Sequence, residues 1–180
     1  MIYNDMDDMP PPPLKGTEPW NKTLFDSIIQ RMGWFESEAE VPGTLEYVLH
    51  GQDTPKRPLK IDRILFPTEK LLERGWNHGP IGVEIKADKS PLHKTMLQCF
   101  DYRRCFFQPR NHPPTHLRYV AMYPFPTQHV PSLLIGLGLA TCYVNTYGDF
   151  CLHSGDINLM PRWNSGTIRQ VNTGRKFGSR

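Results

Sequence analysis

The chain has 180 residues, of which 21 are Lys or Arg and 18 are Asp or Glu, so its formal net charge is only +3. Hydrophobic residues make up 38% and charged residues 22%, which is the balance of one soluble globular domain. No apolar run approaches the ~20 residues that a membrane-spanning helix requires, and no basic region precedes an apolar stretch at the N-terminus, so we expect a cytoplasmic protein without a secretory signal.

The first 14 residues are acidic and rich in proline. They carry three aspartates but no Lys or Arg, and the run Pro10–Pro13 cannot enter a helix or a central strand. We therefore predict a flexible leader at residues 1–14, followed by a single folded domain at residues 15–160.

The N-terminal half of this domain is predicted to contain one helix and three strands. Apolar residues recur at helical spacing over Trp20–Met32, and Gly33 is well placed to end that helix. Proline and glycine punctuation then separates three segments with strand character, Thr44–Leu49, Leu59–Phe66 and Ile81–Ala87. We expect these strands to form an antiparallel meander.

The C-terminal half alternates helices and strands. A helix is predicted over Pro91–Phe107, with Pro91 in its first turn, and a short apolar helix over Pro131–Ala140. Leu117–Tyr123 and Cys142–Tyr147 are predicted strands. A helix that joins two strands requires them to run parallel, so we predict an α/β fold with a mixed sheet and helices on both faces.

The last 20 residues are basic. They hold four arginines and one lysine but no acidic residue, with glycine and threonine interspersed. We predict a mobile tail at residues 161–180 that contacts a phosphate backbone. A solvated tail that serves solubility is an equal alternative.

The four cysteines show no pattern of a metal or redox site. No pair has the two-residue spacing of a zinc ribbon or a redox motif, and no three are close enough for an iron–sulfur cluster. We predict that Cys99, Cys105, Cys142 and Cys151 are reduced and structural.

Acidic and basic side chains meet near the end of the predicted Ile81–Ala87 strand. Residues two apart on a strand point to the same side, so Glu84 and Lys86 share one face while their neighbours face the core. If the preceding strand lies alongside, Asp62 stands beside Glu84, within reach of one divalent cation. Two carboxylates and the backbone carbonyl of Ile85 form a hard oxygen site that suits Mg²⁺, with Mn²⁺ as a substitute.

The acidic-x-Lys triplet is weak on its own, because chance produces about one such triplet in a chain of this composition. The structural alternative is an exposed ion pair on an edge strand. The conjunction of residues carries more weight. Asp62 lies inside the preceding apolar strand, and Gln98 and Tyr102 follow four apart, on one face of the next predicted helix.

The order of Asp62, then Glu84-Ile85-Lys86, then Gln98 and Tyr102 resembles the PD-(D/E)XK nuclease superfamily, which has the restriction-endonuclease-like fold. The resemblance covers roughly residues 20–125 and implies an αβββαβ core, in agreement with the element order predicted above. It implies that Asp62 and Glu84 bind metal and that Lys86 is the catalytic lysine. Gln98 with Tyr102 would be the accessory catalytic pair of branches similar to RecB-type and Holliday-junction-type nucleases.

The resemblance also implies an activity. The superfamily hydrolyses DNA phosphodiesters, usually with Mg²⁺, and leaves a 5′-phosphate and a 3′-hydroxyl. We therefore expect a metal-dependent deoxyribonuclease, with endonuclease action, in which Mg²⁺ activates the attacking water. Enzymes of this type that cut both strands often pair, so a homodimer is expected too.

Two alternatives stay open. The first is a nucleic-acid-binding protein that has the same fold but no catalytic activity. The second is a protein-interaction module whose leader and tail carry the function. Trimming both ends would abolish the function of such a module, whereas a nuclease would tolerate the loss of residues 1–14.

The sequence departs from the superfamily in its first helix and in one insertion. Many members place a Glu on that helix that points at the metal, and here only Glu18 and Asp26 are available. Asp26 is expected to be an exposed partner of Lys22 instead. The inserted segment Thr68–Gly75 is predicted to be a short surface helix, with a DNA-facing insertion as the alternative.

Further basic residues follow the predicted site. Four arginines could line a phosphate groove beside it, namely Arg103, Arg104, Arg110 and Arg118. Arginines at a helix end also offset the helix dipole, so this role is one of two for Arg103. Three histidines are expected to be surface residues rather than zinc ligands, namely His112, His116 and His153.

Overall fold

A mixed sheet forms the centre of the structure, a computed structural model that describes residues 14–45, 59–125, 134, 137–144, 150–154 and 157–159. The bounds of three helices are described: α1 (Glu18–Met32), α2 (Glu69–Leu72) and α3 (Leu92–Tyr102). The bounds of nine strands are described as well: β1 (Phe35–Leu45), β2 (Leu59–Pro67), β3 (Ile81–Ile85), β4 (Cys105–Phe107), β5 (Thr115–His116), β6 (Tyr119–Tyr123), β7 (Leu139–Val144), β8 (Phe150–Ser154) and β9 (Ile157–Leu159).

The strands follow one another in chain order through the middle of the sheet. The full order is β5-β4-β1-β2-β3-β6-β7-β8-β9. β6 runs parallel to both β3 and β7, whereas the other neighbours are antiparallel. Parallel neighbours need a crossover connection, and α3 lies in the one between β3 and β6. The predicted α/β class with a mixed sheet is therefore confirmed.

Helices cover both faces of this sheet. α1 buries Phe25 in one apolar cluster together with Ile85 of β3. α3 contributes Tyr102 to a second cluster. Successive residues of β6, Val120 and Ala121, belong to the second and the first cluster respectively, so the two clusters lie on opposite faces of the sheet.

The sequence determines both ends of α1. Pro19 lies in the first turn, where its missing N–H has no partner to lose. Gly33 ends the helix in the left-handed region, with φ 63°, and its N–H donates to the carbonyl of Ile29. The helix predicted over Trp20–Met32 is thus confirmed, with a start two residues earlier.

The strands beside the predicted site also agree with the sequence. The segments predicted over Leu59–Phe66, Ile81–Ala87 and Leu117–Tyr123 correspond to β2, β3 and β6, with ends that differ by at most two residues. All five residues of β3 are buried, because it lies between β2 and β6 with a helix over each face. The inserted Thr68–Gly75 helix is shorter than predicted and is α2 alone.

Two predicted boundaries were wrong. α3 ends at Tyr102 rather than at residue 107, because Cys105–Phe107 forms β4 and pairs with the end of β1. Aromatic residues suit a half-buried pleated surface, and this pairing outweighs their apolar helical spacing. The first strand begins at Phe35 rather than at Thr44, since β1 carries exposed Glu and Ser side chains that disguise its strand character.

Other parts of the prediction differ or cannot be compared. The helix predicted over Pro131–Ala140 is wrong at its end, where Leu139 and Ala140 belong to β7. Strands β5, β8 and β9 were not predicted. The predicted leader, apart from Leu14, the predicted tail and most of the predicted Pro131–Ala140 helix lie outside the described residues. Within the described residues, no helix is both long enough and apolar enough to cross a membrane.

Gly82 provides a test of the packing that positions β3. A methyl group at this position would lie 2.5 Å from Cδ1 of Ile61 and 2.6 Å from Cδ1 of Leu117, both of which are buried. We expect Gly82→Ala to lower the free energy of unfolding by about 2 kcal/mol through overpacking. Urea unfolding measures this change, and an unchanged unfolding curve would contradict the packing described.

Candidate metal-binding site

The site lies where the ladder between β2 and β3 ends. Arg63 and Val83 form the last pair of that ladder, so Asp62 and Glu84 are the next residues on the two strands. The N–H of Ile85 donates to Oδ2 of Asp62 at 2.8 Å. A carboxylate of β2 thus serves as acceptor where a backbone carbonyl would otherwise continue the ladder, and this bond fixes Asp62 against the backbone of β3.

Glu84 and Lys86 form an ion pair at this end of β3. Nζ of Lys86 lies 2.5 Å from Oε1 of Glu84, as expected for residues two apart on one face. The Glu84 side chain is almost entirely buried, and its other oxygen, Oε2, has no hydrogen-bond partner among the described residues. A buried carboxylate oxygen without a partner is costly, so this atom calls for a proton or a cation.

Burial and a neighbouring charge shift the acidity of Glu84. Loss of hydration raises its pKa to about 7, and the negative charge of Asp62 acts in the same direction, whereas Lys86 and the nearby Tyr102 hydroxyl oppose the rise. Burial is the largest single effect on the pKa of Lys86 and lowers it, but the hydrogen bond to Glu84 and the surrounding negative charges together raise it more, so the net shift is upward. Asp62 is hydrogen-bonded to the residue that follows Glu84, so the two carboxylates are close enough for the charge of one to act on the other.

Gln98 and Tyr102 form a second pair beside these carboxylates. Nε2 of Gln98 donates to the Tyr102 hydroxyl at 2.6 Å, and that hydroxyl donates to the carbonyl of Lys60 at 2.5 Å. Burial raises the pKa of Tyr102, and the charge of Glu84 raises it further. The predicted same-face pair on α3 therefore exists, and it joins α3 to the start of β2 next to Glu84.

α1 brings three more groups to the site. Nζ of Lys22 lies 2.6 Å from Oδ1 of Asp62, 3.0 Å from Oε1 of Glu18 and 3.5 Å from Oε1 of Glu40. The side-chain amide of Asn21 donates to the carbonyl of Lys86 at 2.8 Å, which ties α1 to the residue that follows β3. None of these contacts was predicted from the sequence, although the i,i+4 spacing of Glu18 and Lys22 indicates their own pairing.

The expected pairing of Asp26 with Lys22 was wrong. Asp26 instead binds Arg63 of β2 through two contacts, from Nε at 2.7 Å and from a terminal nitrogen at 2.6 Å. Lys22 has an acidic residue four positions away on either side, so helical spacing alone cannot choose between them. The packing of α1 on β2 decides, because it sets Asp62 opposite Lys22 and Arg63 opposite Asp26.

The other polar residues that the sequence indicated have contacts elsewhere. Arg103 donates to the carbonyl of Arg118 at 2.6 Å, which joins the end of α3 to the residue before β6. His112 stacks on Phe66 and lies 3.3 Å from Glu36. The four cysteines are buried and none of them is part of a disulfide, as predicted. Arg103, His112 and the cysteines thus contribute to packing on the two sides of the sheet.

A metal held here would have a small set of protein ligands. Within the part of the chain that the structure describes, no three His, Cys, Asp or Glu side chains group closely enough to hold a metal by themselves. The available donors are the carboxylates of Asp62 and Glu84 and the carbonyl of Ile85. Mg²⁺ commonly uses one or two carboxylates and completes its shell with water and phosphate oxygens.

Comparisons with known proteins give no match. No family model matches the chain, and no curated protein and no solved structure does so either. Any proposal for the function therefore depends on the residues and geometry described above.

The raised pKa of Glu84 makes the stability of the protein depend on pH. Between 4.5, its ordinary pKa, and about 7, the unfolded chain releases a proton that the folded chain keeps, so stability falls as pH rises. Glu84→Gln removes this loss. At about pH 8, we expect the free energy of unfolding of this variant to exceed that of the parent by about 2 kcal/mol. The gain is less than the full linkage energy because Lys86 loses its partner.

Urea unfolding in EDTA at several pH values measures this difference. The advantage of Glu84→Gln should shrink as pH falls through 7 and should be smallest below 4.5. Glu69→Gln, an exposed change on α2, is the control and should track the parent at every pH. An advantage that did not vary with pH would contradict a buried, ionisable Glu84.

Proposed function

We propose that the protein is a Mg²⁺-dependent deoxyribonuclease of the PD-(D/E)XK type. One observation carries the proposal. The bond from Ile85 N–H to Asp62 holds this carboxylate beside the Glu84–Lys86 ion pair, so two acids and an amine from separate strands meet at one point. This is the arrangement that the sequence resemblance implies for the metal ligands and the catalytic lysine.

The order of the elements supports the same proposal. α1, β1, β2 and β3 precede α3 and β6, and the central strands lie side by side in that order. An αβββαβ core of the restriction-endonuclease-like kind has this sequence of elements, with β4 and β5 inserted between α3 and β6. β7, β8 and β9 extend the sheet beyond β6.

The residues present fit a hard divalent cation. Oε2 of Glu84 is buried without a hydrogen-bond partner among the described residues, and the groups that would act as ligands, two carboxylates and one backbone carbonyl, offer only oxygen atoms. Asp62, Glu84 and the carbonyl of Ile85 would hold the ion. When bound, Mg²⁺ would supply Lewis-acid chemistry, since it acidifies water and neutralises charge that develops on a phosphate.

Side chains of the protein would stabilise charge in the reaction and hold the site in position. Hydrolysis joins a water oxygen to phosphorus while the bond from phosphorus to O3′ breaks, and negative charge builds up on the phosphate oxygens. Lys86 carries a positive charge beside the reacting centre and stabilises that charge. Asn21 and Asp62 orient the Glu84-Ile85-Lys86 segment from either side through hydrogen bonds to its backbone. Gln98 and Tyr102 brace β2 next to Glu84.

A second candidate function is DNA binding without catalysis. Lys22 favours it, because its ammonium group already neutralises Asp62 at 2.6 Å. A protein of this kind would bind DNA with a steep dependence on salt but would bind Mg²⁺ poorly and cut nothing.

Cleavage assays decide between the two functions. The substrates are circular single-stranded DNA, circular duplex, linear duplex and a four-way junction, each with Mg²⁺, with Mn²⁺ or with EDTA. We expect divalent-dependent cutting that includes a circular substrate, because endonuclease action needs no end. Asp62→Asn, Glu84→Gln and Lys86→Met should each lower the rate by at least about 10³-fold, because each removes charge from the reacting centre.

Two exposed residues of α2 provide matched controls. Glu69→Gln and Lys70→Met make the same chemical changes away from the site and should cut like the parent. Cutting by all three site variants at the parental rate would contradict the nuclease. Salt-sensitive DNA binding by a parent that cuts none of these substrates would establish the second candidate instead.

A further inference from the structure

Lys22 occupies the middle of the acidic groups at the site. Its Nζ contacts one carboxylate from each of three elements, Asp62 of β2 at 2.6 Å, Glu18 of α1 at 3.0 Å and Glu40 of β1 at 3.5 Å. Its side chain is 24% exposed, so the ammonium group is partly removed from water. Three acidic partners in a part-buried place mark it as the counter-ion of this cluster.

The backbone of β1 contributes to this arrangement. Glu40 has φ 51°, in the left-handed region that a residue with a side chain seldom adopts. It lies between the pairs Ala39–Arg63 and Val41–Ile61, so it faces Asp62 across the β1–β2 ladder. β1 and β2 thus present two carboxylates at the same level, and Lys22 lies between them.

Both oxygens of Asp62 already have partners. Oδ2 accepts the N–H of Ile85, which is part of the fold, and Oδ1 accepts Lys22. Mg²⁺ requires an oxygen at about 2.0–2.1 Å in near-octahedral geometry, and an ammonium group held on the same oxygen competes for that position. Of the two contacts, the one from a flexible lysine is the one that can be given up.

The charges at the site favour such an exchange. Four carboxylates, from Glu18, Glu40, Asp62 and Glu84, face two ammonium groups, from Lys22 and Lys86, while the nearby guanidinium of Arg63 is neutralised by Asp26. A divalent cation compensates this negative excess better than a single ammonium group can. Lys22 loses little by moving, because Glu18 is its i,i+4 neighbour on α1 and can keep it paired.

We propose that Lys22 is an internal counter-ion that holds the metal-free site together and that a divalent cation displaces from Asp62. The inference rests on the proposed function for the identity of the site. It adds that Lys22 and the divalent cation compete for Asp62, and that this competition sets the metal concentration at which the site fills. After displacement, the ammonium group stays at the mouth of the site through Glu18. There it is available to a phosphate of the bound DNA strand.

Metal binding without DNA tests the proposal. Calorimetry with Mn²⁺ compares the parent with Lys22→Met, Lys22→Arg and the exposed control Lys70→Met. We expect Lys22→Met to bind Mn²⁺ with a Kd about tenfold lower than that of the parent. If Lys22 occupies the site about nine-tenths of the time, only about one-tenth of the parent molecules can bind metal, and the apparent affinity falls by the same factor of about ten. Lys22→Arg keeps the competing charge and should bind no more tightly than the parent. Lys70→Met should match the parent.

Thermal unfolding gives a second readout that needs no activity. In EDTA, Lys22→Met should melt about 3 °C below the parent, because the carboxylates lose their counter-ion. Saturating Mn²⁺ should remove that difference. Equal Kd values for Mn²⁺ in the parent and Lys22→Met, or weaker binding by the variant, would overturn the role of Lys22 and leave the nuclease proposal intact. No Mn²⁺ binding by any of the four proteins would overturn both.

Discussion

The hydrogen bond from the Ile85 amide to the Asp62 carboxylate is the contact on which the site depends. It ends the β2–β3 ladder with a side chain, and it holds a charged group of β2 against the backbone that carries Glu84 and Lys86. A regular ladder would have used a backbone acceptor at this point. The cost of interrupting the sheet is offset by a charge-assisted bond, which is stronger than the neutral bond it replaces.

Around this contact the protein keeps charges that burial alone would disfavour. Glu84 lies 2% exposed in a central strand, with one oxygen paired to Lys86 and the other without a partner among the described residues. Its pKa is raised to about 7 because burial disfavours the charged carboxylate more than Lys86 stabilises it. Carboxylates with pKa values perturbed in this way occur frequently at functional sites, because catalysis and ligand binding use groups whose charge has been altered by burial and by neighbouring charges. Lys22 and Lys86 balance the cluster in part and leave it suited to a further cation.

Local patterns in the sequence predict the parts of this site that lie within single elements. Alternation along β3 pairs Glu84 with Lys86, helical spacing pairs Gln98 with Tyr102, and Gly33 marks the end of α1. The contacts that side chains of α1 make with β2 could not be predicted from the sequence, because they depend on how the helix is rotated over the sheet. Lys22 and Asp26 differ by about one helical turn, and only packing assigns one to Asp62 and the other to Arg63. Glu40 was missed for a related reason, since its polar strand has no apolar alternation.

The claim that Asp62 and Glu84 together hold one divalent cation is tested most directly by diffraction. Crystals grown with Mn²⁺ give an anomalous difference map that locates the ion without any assumption about activity. Our account predicts one strong peak within coordination distance of a carboxylate oxygen of each residue, with Nζ of Lys22 moved away from Asp62. Saturating Mn²⁺ that bound elsewhere and left Lys22 on Asp62 would contradict it.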